Sequence, residues 1–302
     1  MPQWTANDMP DQRRRTVIVT GANNGLGFET TIAFAEKGAQ LIMACRSMGK
    51  AEPAHAEIMR RVPGASVEVI PLDLASLASI QDFVTAFQAR HDRLDILINN
   101  AGIMAVPFSR TTDGFETQFG VNHLGHFALT GVLLPLLLAA PGGRVVTVSS
   151  SMHAIGNITF DNLDASKRYN AWLAYGQSKI ANLLFAYELQ RRLAQMGSKV
   201  ISVSCHPGWA ATGLQSGTMS VANRLLAQSA EHGAWPTLYA ATAAEVNGCD
   251  YIGPTGAMGM RGYPGKMRSN RRSYDEALAK RLWEESERLT GVHYQALELA
   301  TV

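Results

Sequence analysis

The stretch Thr20-Gly21-Ala22-Asn23-Asn24-Gly25-Leu26-Gly27 decides the fold of this 302-residue chain. It follows the apolar run 16–20 and opens a segment with helical periodicity. Glycines let the backbone turn tightly and bring N–H groups close to a pyrophosphate, and the N-terminus of the next helix favours the anion. This position between a strand and a helix favours a dinucleotide site over a plain turn. We therefore predict that the cofactor lies against Gly21, Asn23, Asn24, Gly25, Leu26 and Gly27.

Outward from this turn, apolar runs alternate with helical segments. The runs are apolar throughout, which is typical of parallel strands covered on both faces. Strands are predicted at 16–20, 40–45, 67–71, 94–99, 143–149, 199–205 and, more weakly, 250–253, and helices at 26–37, 76–90, 175–195, 231–245 and 276–289. The sequence therefore predicts one doubly wound α/β (Rossmann) domain over 1–302, with a parallel sheet of about seven strands and helices on both faces.

The remaining segments have a different composition. Residues 1–15 form a polar leader without the apolar core of a signal peptide. Segment 206–230 begins with a loop-like stretch and segment 253–275 is rich in glycine and proline, so we predict irregular structure in both and a C-terminal substrate lid. The apolar run 124–140 is shorter than the roughly 20 residues that span a bilayer, and it predicts a buried or interface helix instead of a transmembrane segment.

Composition excludes several classes of protein. Hydrophobic residues make up 46% and charged residues 17% of the chain, which rules out a disordered protein. The 27 Lys and Arg against 25 Asp and Glu leave no basic excess for nucleic acid. The three cysteines are far apart and form no CxxC pair, which favours a reducing, cytoplasmic location. His123 and His126 lack carboxylate partners at metal-binding spacing, so no metal is expected.

The end of the second strand indicates the type of nicotinamide cofactor. An acidic residue there would hydrogen-bond the adenosine ribose and repel a 2′-phosphate. The strand ends Ala44-Cys45-Arg46, and the planar guanidinium of Arg46 can pair with a phosphate. The alternative is an exposed surface arginine. We predict NADP(H).

Further motifs carry a family resemblance. The turn has the spacing GxxxGxG, and with Asp73-Leu74, Asn99-Asn100-Ala101-Gly102 and Tyr175-Gly176-Gln177-Ser178-Lys179 it resembles the short-chain dehydrogenase/reductase family over residues 16 to about 212. The resemblance implies that Asp73 and Leu74 flank the adenine. It also places Asn100, Ala101 and Gly102 along the cofactor, and Pro207, Ala210 and Thr212 over the nicotinamide.

The candidate catalytic residues lie in the second half of this match. Tyr175 and Lys179 are four residues apart on a predicted helix and share one face. A nearby ammonium favours a phenolate, so we expect Lys179 to lower the pKa of Tyr175 and both residues to contact the cofactor as well. The fifth strand ends in Ser149-Ser150-Ser151, where the resemblance aligns Ser150 with the catalytic serine and leaves Ser149 or Ser151 as alternatives. It also matches Asn122 to an asparagine that holds a relay water.

The resemblance implies hydride transfer between NADP(H) and a carbonyl or alcohol. The 25-residue step from Ser150 to Tyr175 resembles the retinol dehydrogenase-like and protochlorophyllide reductase-like branch, which handles bulky lipophilic carbonyls and, in one case, a ring C=C bond. Residues 1–15 lack the N-terminal membrane anchor of the animal retinol enzymes, which argues against retinoids themselves. NADPH-dependent C=C reduction and a non-catalytic NADP(H) sensor are the alternatives.

Two further expectations concern the substrate pocket and assembly. Met104, His153, Trp172 and Trp209 are candidates for the pocket wall, although each is equally consistent with ordinary packing. As in many members of the family, the helices at 124–140 and 175–195 could pair with those of a second copy and form a homodimer or homotetramer.

Overall fold

The computed structural model describes residues 3–209, 228–256 and 259–298. Within these ranges, eight strands form one sheet in the order β3-β2-β1-β4-β5-β6-β7-β8. They are β1 (Thr16–Thr20), β2 (Gln40–Cys45), β3 (Ser66–Pro71), β4 (Ile96–Asn99), β5 (Arg144–Val148), β6 (Ile201–Cys205), β7 (Tyr251–Gly256) and β8 (Arg261–Met267). Neighbouring strands are parallel except β8, which is antiparallel to β7. The strand order reverses between β1 and β4, which is where such sheets bind ligands.

Helices cover both faces of this sheet. They are α1 (Gly25–Glu36), α2 (Met48–Arg61), α3 (Leu77–Gln88), α4 (Thr117–Leu138), α5 (Ala171–Gln195), α6 (Ala230–Thr242), α7 (Glu276–Thr290) and α8 (Gln295–Glu298). Alternate residues of β1 point to opposite sides: Val17 and Val19 pack with α1, α2 and α6, and Ile18 packs with α3, α4 and α5. The predicted doubly wound fold is confirmed.

The sequence prediction was wrong for part of the C-terminal region. The sheet has eight strands instead of about seven, because segment 253–275 contains the end of β7 and all of β8. Pro254 lies opposite Pro264 and beyond the two β7 residues that pair with β6. The missing N–H of Pro254 therefore costs no bond to β6, and edge strands tolerate proline. Composition alone predicted a loop there.

The apolar run predicted to be buried forms most of α4, which contains a π-helical turn over Gly120–Leu124. Among the described residues, α4 is the one helix long and apolar enough to cross a membrane, and 67% of its most apolar window is buried within the fold. Part of that burial comes from α7 and the segment after it. The Trp283 ring lies 5.1 Å from the Phe127 ring and 5.9 Å from the Phe185 ring, and the Tyr294 hydroxyl donates to the Phe127 carbonyl. The C-terminal region thus covers an outward face of α4 and α5.

Candidate active site

The glycine-rich turn brings the start of α1 against the end of β1. Gly21 and Gly25 have φ of +66° and +52°, a region that glycine adopts without strain. At Gly27, a Cβ would lie 2.3 Å from the Gly21 carbonyl oxygen and 2.6 Å from Asn100 Nδ2. Only a residue without a side chain fits between these groups. This close approach leaves backbone N–H groups at the N-terminus of α1 for an anion.

Hydrogen bonds of Thr20 connect the end of β1 to the loop after β4. Its side chain is fully buried, and its hydroxyl oxygen accepts the backbone N–H of Asn100 and of Ala101, each at 2.9 Å. The Asn100 side chain donates in return to the Thr20 carbonyl at 2.8 Å. These bonds fix the loop after β4 beside the glycine-rich turn, at the point where the strand order reverses.

A groove of about 440 Å³ runs along this edge. It is lined by every described residue that the sequence assigned to the cofactor, other than those near the nicotinamide end: Gly21, Asn23, Asn24, Gly25, Leu26, Gly27, Arg46, Asp73, Leu74, Asn100, Ala101 and Gly102. Sequence reasoning missed Ser47 and Lys50, which line the same groove at the start of α2. Their position one and four residues after Arg46 was a usable signal, because two cations beside a helix N-terminus suit a phosphate.

A second cavity of about 420 Å³ shares Leu26, Asn100 and Gly102 with the groove, so the two are contiguous. It is lined by Ser150, Tyr175, Lys179 and Pro207 together with the apolar residues Met104, Met152, Trp172, Trp209 and Met260. Met104, Trp172 and Trp209 therefore lie where the sequence suggested. Met152 and Met260 were not foreseen, since no motif marks them.

His153 does not line the cavity, contrary to the sequence suggestion. It is buried behind Ser150, where Nδ1 donates to the Ser150 carbonyl at 2.6 Å and Nε2 accepts the backbone N–H of Asn270 at 3.1 Å. Burial lowers the pKa of His153, so the ring is neutral near pH 7. His153 therefore supports the turn at Ser150 from the buried interior, on the side away from the cavity.

Tyr175 and Lys179 lie on the face of α5 that meets the cavity, with 6% and 4% of their surface exposed. Lys179 Nζ donates to the Val148 carbonyl at 3.2 Å and lies 5.6 Å from the centre of the Tyr175 ring. Burial lowers the pKa of Lys179 to about 8, which leaves the amine largely protonated at neutral pH. Burial raises the pKa of Tyr175, and a hydrogen bond with the Ser150 side chain offsets this only in part. This direction is opposite to the one expected from Lys179 alone.

The three serines after β5 have different surroundings. The Ser149 hydroxyl donates to the Lys179 carbonyl at 2.8 Å and is buried, and Ser151 is exposed. The Ser150 side chain accepts the N–H of Met152 at 3.2 Å and bonds with Tyr175. Of the three, Ser150 is the serine whose side chain meets the tyrosine.

Asn122 lies in the π-helical turn of α4 and is fully buried. Its side chain accepts the Ile103 N–H and donates to the Ile103 carbonyl, both at 2.9 Å, and it also donates to the Ser178 hydroxyl at 2.9 Å. A Cβ on Gly102 would lie 3.3 Å from Asn122 Oδ1 and 3.5 Å from Lys179 Nζ. The amide therefore holds the loop after β4 beside Lys179.

The nicotinamide end of the predicted site is described only in part. Pro207 lines the cavity, and its carbonyl accepts the side-chain N–H of Gln228 at 2.7 Å. Ala210 and Thr212 lie outside the described residues, as does most of the predicted lid at 206–230. Within the described ranges, no group of three or more His, Cys, Asp or Glu side chains is placed to hold a metal ion.

Comparison with known proteins gives a consistent result. The family model described as short chain dehydrogenase matches residues 15–221. Human retinol dehydrogenase 13 is 43% identical over 290 residues, which cover 92% of this chain and 85% of that protein. An uncharacterized protein from Mycobacterium paratuberculosis is 44% identical, with a TM-score of 0.82 and coverage of 97% and 99% of the two chains. A short chain dehydrogenase from Escherichia coli CFT073 complexed with NADPH is 26% identical, with a TM-score of 0.54 and coverage of 66% and 79%.

Proposed function

Because this chain belongs to the short-chain dehydrogenase family of oxidoreductases, in its retinol dehydrogenase-like branch, we propose that it transfers a hydride between NADP(H) and a carbonyl or alcohol of a bulky apolar molecule. One observation carries the proposal. The cavity that contains Ser150, Tyr175 and Lys179 opens onto the glycine-rich groove through Leu26, Asn100 and Gly102. A substrate there would lie next to the end of a cofactor held in the groove.

The groove fits a dinucleotide. Gly27 lets the start of α1 pack close against the end of β1, because a Cβ there would collide with the Gly21 carbonyl oxygen, and this close packing is the role of the third glycine in a dinucleotide turn. At the far end, Arg46, Ser47 and Lys50 offer two cations and a hydroxyl for a 2′-phosphate. A related solved structure holds NADPH. These observations together favour NADP(H) over NAD(H).

In the proposed reaction, each polar residue of the cavity has one role. Bound NADPH supplies the hydride for the carbonyl carbon. Tyr175 gives its phenolic proton to the carbonyl oxygen, and in the reverse direction it takes the proton of the alcohol. Ser150 orients that oxygen through its hydroxyl, and the ammonium of Lys179 stabilises the phenolate formed when the proton leaves.

The wall of the cavity supports an apolar substrate. Two tryptophans and three methionines contribute to it, namely Met104, Met152, Trp172, Trp209 and Met260. Methionine side chains adapt to irregular apolar shapes, as a cavity for a bulky apolar molecule requires. A relative 43% identical to this chain carries the name retinol dehydrogenase 13. We therefore place long or polycyclic apolar alcohols and carbonyls first among candidate substrates.

The decisive test of the chemistry is Tyr175→Phe. Without the phenolic proton, kcat should fall at least about 100-fold while the affinity for NADPH stays within about twofold of the wild type. Tyr187→Phe is the matched control, because this tyrosine lies on α5 as well and its hydroxyl bonds Ser269 instead of facing the cavity. Turnover retained in Tyr175→Phe would refute the assigned acid/base role.

Reduction of an activated C=C bond is the second candidate. Incubation of the protein with NADPH and an apolar enone separates the two reactions, because carbonyl reduction gives an unsaturated alcohol and C=C reduction gives a saturated ketone. The saturated ketone as sole product would exclude the carbonyl chemistry. Binding of NADPH without oxidation of it by any carbonyl would favour the non-catalytic sensor.

The cofactor preference has its own test. Arg46→Ala and Lys50→Ala should each weaken binding of NADPH about tenfold or more and leave NADH binding nearly unchanged, since only NADPH carries the 2′-phosphate. Arg60→Ala is the control, because Arg60 also lies on α2 but pairs with Glu57 in solvent. Equal losses for both cofactors would exclude the phosphate clamp.

We also propose that the protein works in the cytoplasm. Cys45, Cys205 and Cys249 are all free thiols, and two of them are buried, as a reducing compartment permits. Separation of cell lysate into soluble and membrane fractions tests this directly. Recovery of the protein in the membrane fraction would contradict the location.

A further inference from the structure

We infer that His126 is a positioning residue whose imidazole forms a hydrogen-bonded bridge between two parts of the site. The bridge links Thr20, at the end of β1 beside the glycine-rich turn, to Asn122, in the π-helical turn of α4. The inference rests on the proposed NADP(H)-dependent function and concerns a residue outside the cavity. His126 lies on α4, with 1% of its surface exposed. Its Nε2 lies 2.9 Å from the Thr20 hydroxyl oxygen, and its Nδ1 lies 3.1 Å from the Asn122 carbonyl oxygen.

The direction of each bond follows from the atoms involved. The Asn122 carbonyl can only accept, so Nδ1 carries the proton and donates. The Thr20 hydroxyl oxygen already accepts two backbone N–H groups, which occupy its two lone pairs. Its own proton must therefore be donated. His126 Nε2 at 2.9 Å is the nearer acceptor, with the Ile98 carbonyl at 3.3 Å. The Asn122 end requires the Nδ1–H form of the ring, and the acceptor role of Nε2 toward Thr20 agrees with this neutral tautomer.

At the cofactor end, the bridge fixes the rotation of the Thr20 hydroxyl. With the proton held by His126, both lone pairs face the N–H groups of Asn100 and Ala101. Those two residues line the cofactor groove, and the Asn100 side chain lies so close to Gly27 that it leaves no room for a Cβ there. Loss of the acceptor would leave Thr20 with the longer bond to Ile98 and free its rotation, which loosens the groove.

At the catalytic end, the bridge holds the π-helical turn. This turn carries Asn122, whose side chain binds Ile103 and Ser178 beside Lys179. The Nδ1–H bond reaches the backbone of the same residue from one turn further along α4. Burial lowers the pKa of His126 to about 4, because the protein interior disfavours the charged imidazolium. An apolar side chain would carry no such desolvation cost in this position. The buried imidazole is instead satisfied at both nitrogens.

The two halves of the bridge can be removed separately. In His126→Asn the side-chain amide nitrogen replaces Nδ1, so the donor to Asn122 is kept and the acceptor for Thr20 is lost. In His126→Gln the amide oxygen replaces Nε2, so the acceptor for Thr20 is kept and the donor is lost. Full-length variants are compared by fluorescence titration with NADPH and by hydrogen exchange over residues 98–104 and 119–125.

We expect His126→Asn to weaken NADPH binding about tenfold, equivalent to about 1.4 kcal/mol, and to speed exchange over 98–104. His126→Gln should bind NADPH within about threefold of the wild type and speed exchange over 119–125. His123→Asn and His123→Gln are the controls, because this histidine is equally buried on α4 but bonds Ser286 of α7. They should lower stability while leaving NADPH affinity and exchange over 98–104 at wild-type values; since His123 itself lies within 119–125, they serve as controls for the Thr20 end of the bridge alone.

Three results would overturn the inference. The first is that both His126 variants change the two segments alike, in proportion to their loss of stability, since a merely structural residue would behave so. The second is that neither variant changes NADPH binding or exchange although the wild type binds NADPH. The third is that the wild type itself does not bind NADPH, which overturns the proposed function as well and is thereby told apart from the second.

Discussion

Replacement of Gly27 by alanine tests the geometry of the cofactor turn most directly. The new Cβ would lie 2.3 Å from the Gly21 carbonyl oxygen, whereas ordinary contacts of a Cβ begin near 3.4 Å. The start of α1 and the end of β1 must therefore separate by about 1 Å, which is the difference of these two distances. A second contact, 2.6 Å to Asn100 Nδ2, moves the loop after β4 too.

This separation should affect cofactor binding more than stability. Overpacking costs about 1–3 kcal/mol, but alanine gains up to about 1 kcal/mol over glycine in a helix, so net destabilisation is modest. The groove changes shape by about 1 Å along the pyrophosphate site, a displacement that can cost about 100-fold in function. We expect the Kd for NADPH to rise at least about tenfold in a fluorescence titration.

Gly49→Ala is the matched control for this experiment. Gly49 lies in the first turn of α2, as Gly27 does in α1, but apart from its chain neighbours and the nearby helix backbone no atom would lie within 4 Å of a Cβ placed there. The control therefore has only the gain in helix propensity and should raise the melting temperature slightly without a change in NADPH affinity. Binding of NADPH by Gly27→Ala within twofold of the wild type would refute the reasoning from close approach.

Two further predictions concern stability and assembly. Burial holds the pKa of His123 at about 3 and of His126 and His206 at about 4, below the ordinary 6.5, so the unfolded chain takes up protons first. The free energy of unfolding should thus be highest above pH 6.5 and should decrease between pH 6.5 and 4, by about 1.4 kcal/mol per pH unit for each histidine. Equal urea midpoints at pH 7 and pH 5 would contradict this. Because α7 covers an outward face of α4 and α5, we expect that copies of this chain do not pair through that face, unlike the homodimer suggested for the helices at 124–140 and 175–195. Light scattering on Trp283→Ala should show association that the wild type lacks, and an equal mass for the two proteins would contradict the expectation.

The parts of the site that the sequence predicted depend on local spacing. A strand, a glycine-rich turn and a helix are consecutive in the chain, so the groove could be assigned without knowledge of distant contacts. Tyr175 and Lys179 share a face because helical geometry alone brings residues four apart together. The prediction of a glycine- and proline-rich loop at 253–275 was wrong, because Pro254 lies in β7 beyond the last residue that pairs with β6. Composition does not show where that pairing ends.

The sequence by itself therefore determined the doubly wound fold and most of the residues along the groove, since both are encoded by periodicity and by motifs of a few residues. The tertiary structure alone decided which serine meets Tyr175, that His153 lies behind Ser150 and outside the cavity, and that burial raises the pKa of Tyr175. It also decided the bridge through His126, which spans 106 residues from Thr20. Hydrogen-bond direction and desolvation depend on groups that only folding brings together, and no local pattern specifies them.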